Sequence, residues 1–425
     1  MGWSRRYSLQ SYLRSALWVI PLGAYLASLV MIRLLDRLDA WLAWSWDGPI
    51  GVPAAQAALE FVITANLSFI VFTFSSLLVA IQVASAQLTP RIIATTLLRD
   101  NAIRAIVALL VFTLTFALGV LIRTETSVPF LLFTVAVVLG GISVVVFLFL
   151  IDYTARLMRP VSIVWHVGEE GLSVIDEVYP SKIGKSQLPE PVRRPLGVPE
   201  RIVAHRGGSA IVLAVKLDTL LAEAVRADGT IEFAYQVGDF ASVGEPLFLL
   251  YGRTEAFDER RLCDAVALGR ERTIEHDATF AIRIIVDIAI KALSKAINDP
   301  TTAVLAIDQL HRLLRAVGRR DLHDDVLCDA AGAVRVVFKT PNWDDFVQLA
   351  CREIRLYGAE NYQVARRLRA MLENLLRTLA EARRAALHEE LDLLDQTLER
   401  LHLLPQDLNL ARVPDLQGLG GSSRS

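Results

Sequence analysis

The stretch FVITANLSFIVFTFSSLLVAIQVASAQLTP, residues 61–90, decides the class of this fold. It carries no formal charge between Glu60 and Arg91. A bilayer is spanned by about 20 mostly apolar residues in helical conformation. The stretch therefore predicts a transmembrane helix, and the rest of the chain is interpreted outward from it.

This predicted span contains many polar side chains. Asn66 and Thr73 lie on one side of the helix at about 100° per residue. Four others form a narrow stripe on the opposite side: Thr64, Ser68, Ser75 and Gln82. Because lipid does not solvate such groups, the stripe is expected to face protein, water or a passing solute. It is a candidate for lining a pore or for packing helices together, and both interpretations stay open.

Three further apolar stretches complete the predicted α-helical membrane domain, which covers residues 1–160. They are expected at about residues 17–32, 105–122 and 128–151. The first could also be a signal peptide, but no convincing cleavage site follows it and more spans come next. A loop at the membrane surface is predicted after the first span by three tryptophans: Trp41, Trp44 and Trp46.

Arginines are distributed unequally around the four spans. One side would receive Arg5, Arg6, Arg14, Arg91, Arg99, Arg104, Arg156 and Arg159, and the other Arg33, Arg37 and Arg123. Basic residues are enriched in cytoplasmic loops. The sequence therefore predicts a multi-pass protein of the inner (plasma) membrane with both termini in the cytoplasm.

The remainder of the chain predicts a cytosolic α+β region. Residues 161–200 are proline-rich and predict a connector with little regular structure. Residues 201–252 predict strands in SAIVLAVKL, TIEFAYQV and EPLFLLYG, a short helix over residues 219–226, and a turn at Asp228-Gly229. Further turns are expected at Gly238-Asp239 and Val243-Gly244.

Residues 253–404 predict a helical domain with one short strand near residues 334–339, and residues 405–425 predict a disordered tail. The charged faces of the last helices are expected to be solvated surface. Four leucines at helical spacing predict a core stripe or a subunit seam: Leu368, Leu372, Leu375 and Leu379.

The strings VGDF and GEPL, residues 237–240 and 244–247, resemble one half of a biotinyl/lipoyl-like domain, a small barrel-like sandwich of strands. Such domains carry their cofactor on a lysine in a hairpin that follows this motif. Residues 249–255 contain no lysine, and Lys216 lies upstream in a strand pattern. The resemblance therefore implies the fold but not the prosthetic group, and no cofactor is expected.

The junction Asn298-Asp299-Pro300 separates two predicted helices. Asn298 suits a left-handed conformation, Asp299 suits an N-cap, and Pro300 suits the first helical position. Together with His276, Asp277 and Asp287 they could also be imagined as an acid-base or metal site. The spacing has no metal-ligand signature, and capping already explains two of the residues.

Composition removes other function classes. The net charge of -2 and the absence of an aromatic-basic motif give no case for a nucleic-acid partner. The three cysteines are scattered without metal-ligand spacing. The sequence contains no P-loop, GxSxG, HExxH or dinucleotide fingerprint. An enzyme is therefore not predicted, and neither is a metal centre.

Two segments carry a family resemblance: TFSSLLVAIQVASAQLTPRII followed by LLRD, and DIAIKALSKAINDPTTAVLAID. Both are similar to a family of bacterial predicted membrane proteins catalogued as domain of unknown function 2254. The resemblance covers nearly the whole chain and implies an integral inner-membrane protein, but no activity. Its motifs are matched at Gln82, Ser85, Gln87, Pro90, Arg91, Asn298, Asp299 and Pro300.

Two functions follow from these observations. The first is an oligomeric channel-like or transport protein, with the polar stripe lining a path for a small ion. The alternative is a membrane-anchored scaffold or sensor whose cytosolic domain binds a ligand or partner. Four spans are few for a secondary transporter, and no inverted repeat is visible. This favours a homo-oligomer, in which copies share a pore.

Overall fold

The computed structural model describes residues 3–4, 6–7, 13, 16, 18–42, 51–87, 100–125, 127–157, 159–183, 197–322 and 325–420. The chain divides into two compact units. The helical unit comprises residues 12–86 and 90–163, and the mixed unit comprises residues 1–11, 87–89 and 164–425.

The helical unit contains four long helices: α1 (Val19–Leu42), α2 (Val52–Gln87), α3 (Asn101–Arg123) and α4 (Phe130–Leu157). All four are long and apolar enough to cross a membrane. The four predicted spans are therefore confirmed as helices of membrane-spanning length and composition.

Apolar clusters hold these helices together. Leu59, Phe116 and Leu132 are fully buried in one of them, and Leu110 belongs to another. A Cβ added at Gly140 of α4 would lie 2.7 Å from Cγ2 of Val62 on α2. The absence of a side chain at Gly140 thus permits the close approach of these two helices, as small residues do in membrane bundles.

Polar contacts between helices supplement the apolar packing. The hydroxyls of Ser28 on α1 and Thr115 on α3 lie 2.7 Å apart. The amide Nε2 of Gln56 on α2 donates to the carbonyl oxygen of Thr124 at 2.7 Å. Such bonds between membrane helices contribute about 0.6 kcal/mol each on average.

The loop predicted after the first span begins later than expected. α1 continues to Leu42 because residues 33–42 are rich in leucine and arginine and contain no proline or glycine. Trp41, which the prediction placed in the loop, lies near the end of α1 and is 80% exposed. Trp44 and Trp46 lie outside the described residues.

The predicted irregular connector is wrong for its first half. Helix α5 spans Pro160–Val178. Its buried side chains recur at helical spacing: Ile163, Val164, Val167, Val174 and Ile175. The prediction rested on prolines that begin at Pro180, and this apolar periodicity was missed.

Among the described residues of the mixed unit, eight strands form two sheets. The strands are β1 (Arg201–Ala204), β2 (Ala210–Val215), β3 (Gly229–Phe233), β4 (Phe240–Ala241), β5 (Pro246–Gly252), β6 (Val266–Gly269), β7 (Val326–Cys328) and β8 (Val334–Val337). The orders are β1-β5-β3-β8-β7 and β4-β2-β6. Only the β3–β8 pair is parallel among the described strand pairs.

The register of the larger sheet places apolar residues side by side. Ile231 of β3 lies opposite Leu250 of β5 and Val336 of β8, and all three are buried. Helices α6 (Leu217–Ala227) and α7 (Glu259–Asp264) contribute to the same core. The predicted strands, the short helix and the turn at Asp228, which has a φ of 51°, are confirmed.

Six further α-helices lie in the described part of the mixed unit: α8 (Ala278–Ala292), α9 (Pro300–Val317), α10 (Trp343–Gly358), α11 (Tyr362–Thr378), α12 (Arg384–Leu401) and α13 (Pro405–Ala411). The leucine stripe on α11 is buried within the chain and is core, as one of the two interpretations predicted. Its members are Leu368, Leu372 and Leu375 on α11, and Leu379 directly after its last residue.

The expectation that charged faces of these helices are solvated is wrong for α11. Arg366, Arg367 and Arg369 are all buried. Arg367 donates to Asp308 on α9 at 2.6 Å, and Arg369 pairs with Asp395 on α12. Carboxylates on neighbouring helices therefore accept hydrogen bonds from guanidinium groups that the sequence pattern assigns to water, although Nη1 of Arg367 and Nε of Arg369 stay without a hydrogen-bond partner among the described residues.

The tail predicted as disordered is also ordered over its described part, residues 405–420. It begins with α13, and Arg366 donates to the carbonyl oxygens of Val413 at 2.8 Å and Gly420 at 3.0 Å. The carboxylate of Asp415 accepts three backbone N–H groups of the same segment. These bonds attach a glycine-rich segment that would be mobile by itself.

Candidate functional site

The structure separates the two polar sides of α2. Asn66 and Thr73 are buried in the helical unit, with exposed fractions of 1% and 2%. The predicted stripe lies on the opposite, exposed side of the helix: Thr64, Ser68, Ser75 and Gln82. The stripe is flanked by exposed apolar side chains, among them Val71 and Leu78.

Local hydrogen bonds satisfy only part of this polar surface. The hydroxyl of Ser68 donates to the carbonyl oxygen of Thr64 at 2.8 Å. The side chains of Ser75 and Gln82 form no hydrogen bond with any described residue. Ser75 borders a groove of about 420 Å³ whose other wall is formed by α4, including Leu150 and Thr154.

The stripe repeats at an interval that suits helix packing. Ser68, Ser75 and Gln82 are seven residues apart. Thr64, Val71 and Leu78 form a second row at the same interval. A seven-residue repeat keeps one seam of a helix against a partner helix with a left-handed crossing, which is the commonest arrangement in membrane bundles.

The buried side of the helical unit combines large apolar side chains with polar groups that are hydrogen-bonded within the chain. Leu110 and Phe116 fill the space between the helices and are fully buried. Hydroxyl pairs also occur on the buried side: Ser143 donates to Thr113 at 3.3 Å, and Ser28 and Thr115 lie 2.7 Å apart. The stripe itself stays exposed on the surface of the described chain.

The first family motif is described only in part. Gln82 is exposed on α2. Pro90 and Arg91 lie outside the described residues, as do the side chains of Ser85 and Gln87.

The second motif forms a helix junction. Asn298 has a φ of 49°, in the left-handed region. Oδ1 of Asp299 accepts the backbone N–H of Thr302 at 3.1 Å, and Pro300 is the first residue of α9. The N-cap at Asp299, the first helical position at Pro300 and the left-handed conformation of Asn298 are thus confirmed. The expectation that Asn298 ends the preceding helix is wrong, because α8 ends at Ala292 and a non-helical stretch occupies residues 293–297.

The other polar candidates have structural partners. Asp277 caps α8 by accepting the N–H of Phe280 at 3.0 Å and also pairs with Arg272. Asp287 pairs with Arg283 on the same helix. No group of three His, Cys, Asp or Glu side chains in the described ranges has the arrangement of a metal site.

Sequence reasoning missed a cavity of about 360 Å³ in the mixed unit. Its wall includes Trp3 near the N terminus, Lys216 at the start of α6, Phe233 of β3, His276 before α8, and Lys339 after β8. Five separate segments contribute these residues, so no motif marks the cavity in the sequence.

The cavity wall combines rings with polar groups. The hydroxyl of Tyr235 donates to Glu245 at 2.7 Å. Burial, and then this hydrogen bond, raise the pKa of Tyr235 to about 12. The phenol is therefore neutral at physiological pH. The ammonium groups of Lys216 and Lys339 form no ion pair with any described residue.

Four apolar helices of membrane-spanning length and a large mixed unit define a multi-pass membrane protein. Residues 14–374 match the model of the family described as predicted membrane protein, domain of unknown function 2254, and the chain belongs to this family. The resemblance seen in the two motifs is thereby confirmed.

Relatives with curated sequences are found in mycobacteria. An uncharacterized protein of Mycobacterium bovis and two of Mycobacterium tuberculosis strains are each 25% identical over 415 residues. The aligned part covers 93% of this chain and 79% of each relative. No solved structure matches this chain.

Proposed function

We propose that this protein is a homo-oligomeric, channel-like protein of the bacterial inner membrane, in which the polar stripe of α2 lines a path for small ions between copies. The observation that carries the proposal is the outward position of Thr64, Ser68, Ser75 and Gln82 on a helix of membrane-spanning length. Polar side chains at membrane depth are disfavoured against lipid. A second copy would remove the stripe from lipid.

The chemistry of the stripe suits small ions. Hydroxyl and amide dipoles can replace part of an ion's hydration shell, and without a fixed charge they select weakly between cations and anions. Arg91 follows the stripe in the sequence and would favour anions at the cytoplasmic end.

The proposed orientation has both termini and the mixed unit in the cytoplasm. It is supported by the arginine distribution and by a contact of the N-terminal segment. Tyr7 donates a hydrogen bond of 2.9 Å to Glu275 in the mixed unit. Residues before the first span and after the fourth must lie on one side for this contact to form.

The rival interpretation is that the stripe only packs helices together, without a conducting path. Ion flux into liposomes separates the two. Ser75→Leu should abolish flux, because it replaces the central hydroxyl of the stripe with a bulky apolar side chain. Phe74→Leu is the matched control. Phe74 directly precedes Ser75 and lies beside the polar stripe, so this variant should conduct like the wild type.

Oligomer formation is tested separately by disulfide cross-linking. Cys263 and Cys328 are exposed and are first replaced by serine. Burial raises the pKa of the Cys351 thiol, so this residue can stay. Ser75→Cys should cross-link copies and Phe74→Cys should not. Cross-linking without flux at any tested voltage, pH or membrane tension would leave the packing interpretation and exclude the channel.

A second candidate function is a membrane-anchored sensor or scaffold, and the cavity in the mixed unit favours it. The likeness of residues 201–252 to a biotinyl/lipoyl half-barrel stays a prediction. With no lysine in residues 249–255, that module offers no site for the usual cofactor. A sensor would bind a ligand in the cavity without passing ions.

A further inference from the structure

We propose that the cavity of the mixed unit binds a small amphipathic anion, namely a planar apolar body that bears one carboxylate or phosphate group. This site does not depend on ion passage or on oligomer formation. Three properties of the cavity favour such a ligand: its size, its rings and its excess of positive charge.

The size and apolar wall suit a small organic molecule. Ligand pockets usually enclose about 300–1,000 Å³ and are lined by apolar and aromatic side chains with a few polar groups. This cavity has a volume of about 360 Å³ and is lined by five such rings: Trp3, Tyr179, Phe233, Tyr235 and Phe338. Flat apolar ligands pack well against rings because both bury large areas.

Positive charge exceeds negative charge in the wall. Lys216 and Lys339 are exposed at the rim and form no ion pair within the described ranges. Of the two acidic residues in the wall, Asp277 is neutralised by Arg272 at 2.5 Å, and only Asp218 remains. The wall therefore carries two ammonium groups and one carboxylate without an ion-pair partner among the described residues.

Helix orientation adds to this charge. The first residues of α6 and α8 both belong to the cavity wall, so the N-terminal ends of two helices of 11 and 15 residues lie beside it. Helix N-termini carry partial positive charge and favour anions. A ligand can therefore place its anionic group near the rim lysines and pack its apolar body against the rings.

The test measures binding of three soluble probes to the full chain in lipid nanodiscs by calorimetry, with empty nanodiscs as the blank. Indole-3-acetate represents aromatic carboxylates, and phenyl phosphate represents aromatic phosphates. Indole-3-acetamide is the neutral isostere of the first probe. At least one anion should bind, and indole-3-acetamide should bind at least tenfold more weakly than indole-3-acetate if the carboxylate is recognised.

Variants locate the site. Lys216→Gln with Lys339→Gln should weaken binding of the anion by about tenfold or more, because charge-assisted hydrogen bonds are lost. Lys295→Gln is the control, since Lys295 is exposed and lies outside the cavity wall. Thermal unfolding shows that the variants are folded.

Comparing the affinities of indole-3-acetate and phenyl phosphate shows whether the site prefers a carboxylate or a phosphate. Equal binding of indole-3-acetate and its neutral isostere, with phenyl phosphate not bound, would overturn the proposal. So would the absence of binding by both anions at millimolar concentration. Binding that survives the double lysine change would also refute it, because it would place the anion elsewhere.

Discussion

The hydroxyl of Tyr7 donates a hydrogen bond of 2.9 Å to Oε2 of Glu275, although 268 positions separate the two residues in the chain. The Tyr7 ring also lies 5.8 Å from the His276 ring and 5.5 Å from the Trp3 ring. The N-terminal segment is thus part of the mixed unit. A chain returns to its starting side after an even number of crossings, so this contact agrees with the four apolar helices that intervene.

The first prediction concerns topology. Reporter fusions after residues 51 and 125 should give an extracytoplasmic signal, and fusions after residues 100 and 159 should give a cytoplasmic one. The reason is the arginine excess on the side of both termini. An extracytoplasmic signal at residue 100 would contradict the four-span arrangement.

The second prediction concerns the N-cap of α9. Asp299→Ala removes the acceptor of the Thr302 N–H and should lower the free energy of unfolding by about 1 kcal/mol. Asp299→Asn is the control, because asparagine caps about as well as aspartate. Chemical denaturation of the purified protein measures both. Unchanged stability of Asp299→Ala, together with loss of ion flux or ligand binding, would instead assign this residue a functional role.

The third prediction concerns pH. Burial lowers the pKa of His311, and the cations of Arg367 and Arg315 add to this effect, while a 2.9 Å hydrogen bond with Asn374 and the charge of Asp308 oppose it. The folded chain therefore resists protonation of His311. Below the ordinary histidine value of about 6.5 the unfolded chain takes up a proton that the folded chain does not, so stability falls as pH falls.

The measurement is the thermal unfolding midpoint between pH 7 and pH 5. His311→Gln should reduce the loss of stability over this range, since glutamine does not titrate. His388→Gln is the control, because His388 is exposed on α12. An identical pH dependence in the wild type and His311→Gln would show that the histidine does not contribute.

The fourth prediction concerns the C-terminal segment. Asp415→Ala leaves the N–H groups of Gln417, Gly418 and Gly420 without their carboxylate acceptor. Loss of these three hydrogen bonds should also displace the carbonyl oxygens of Val413 and Gly420. Both accept hydrogen bonds from the guanidinium of Arg366, which is fully buried. A buried polar group without a partner costs about 1–3 kcal/mol, so a clear decrease in stability is expected.

Limited trypsin digestion and thermal unfolding test this fourth prediction. Cleavage after Arg412 should become faster in Asp415→Ala. Asp392→Ala, at an exposed position of α12, should behave like the wild type. If both variants were equally stable, the C-terminal segment would contribute nothing to the mixed unit.

The sequence by itself determined the features that depend on neighbouring residues. Membrane-spanning helices follow from about 20 consecutive apolar residues, and the cap at Asp299 needs only the backbone three residues further on. The stripe of α2 follows from helical periodicity alone. The periodicity already places Asn66 and Thr73 on the side of α2 opposite the stripe, and in the structure this side is buried.

Only the tertiary structure decided which polar groups are covered and where distant segments meet. A helix with many arginines is expected to be exposed to solvent. Arg366 is nevertheless buried, and a segment some 50 positions later supplies the carbonyl oxygens that accept its hydrogen bonds. The cavity likewise combines Trp3, Lys216 and Lys339 from segments far apart in the chain. Hydropathy and capping are local properties, whereas burial depends on partners that sequence spacing does not reveal.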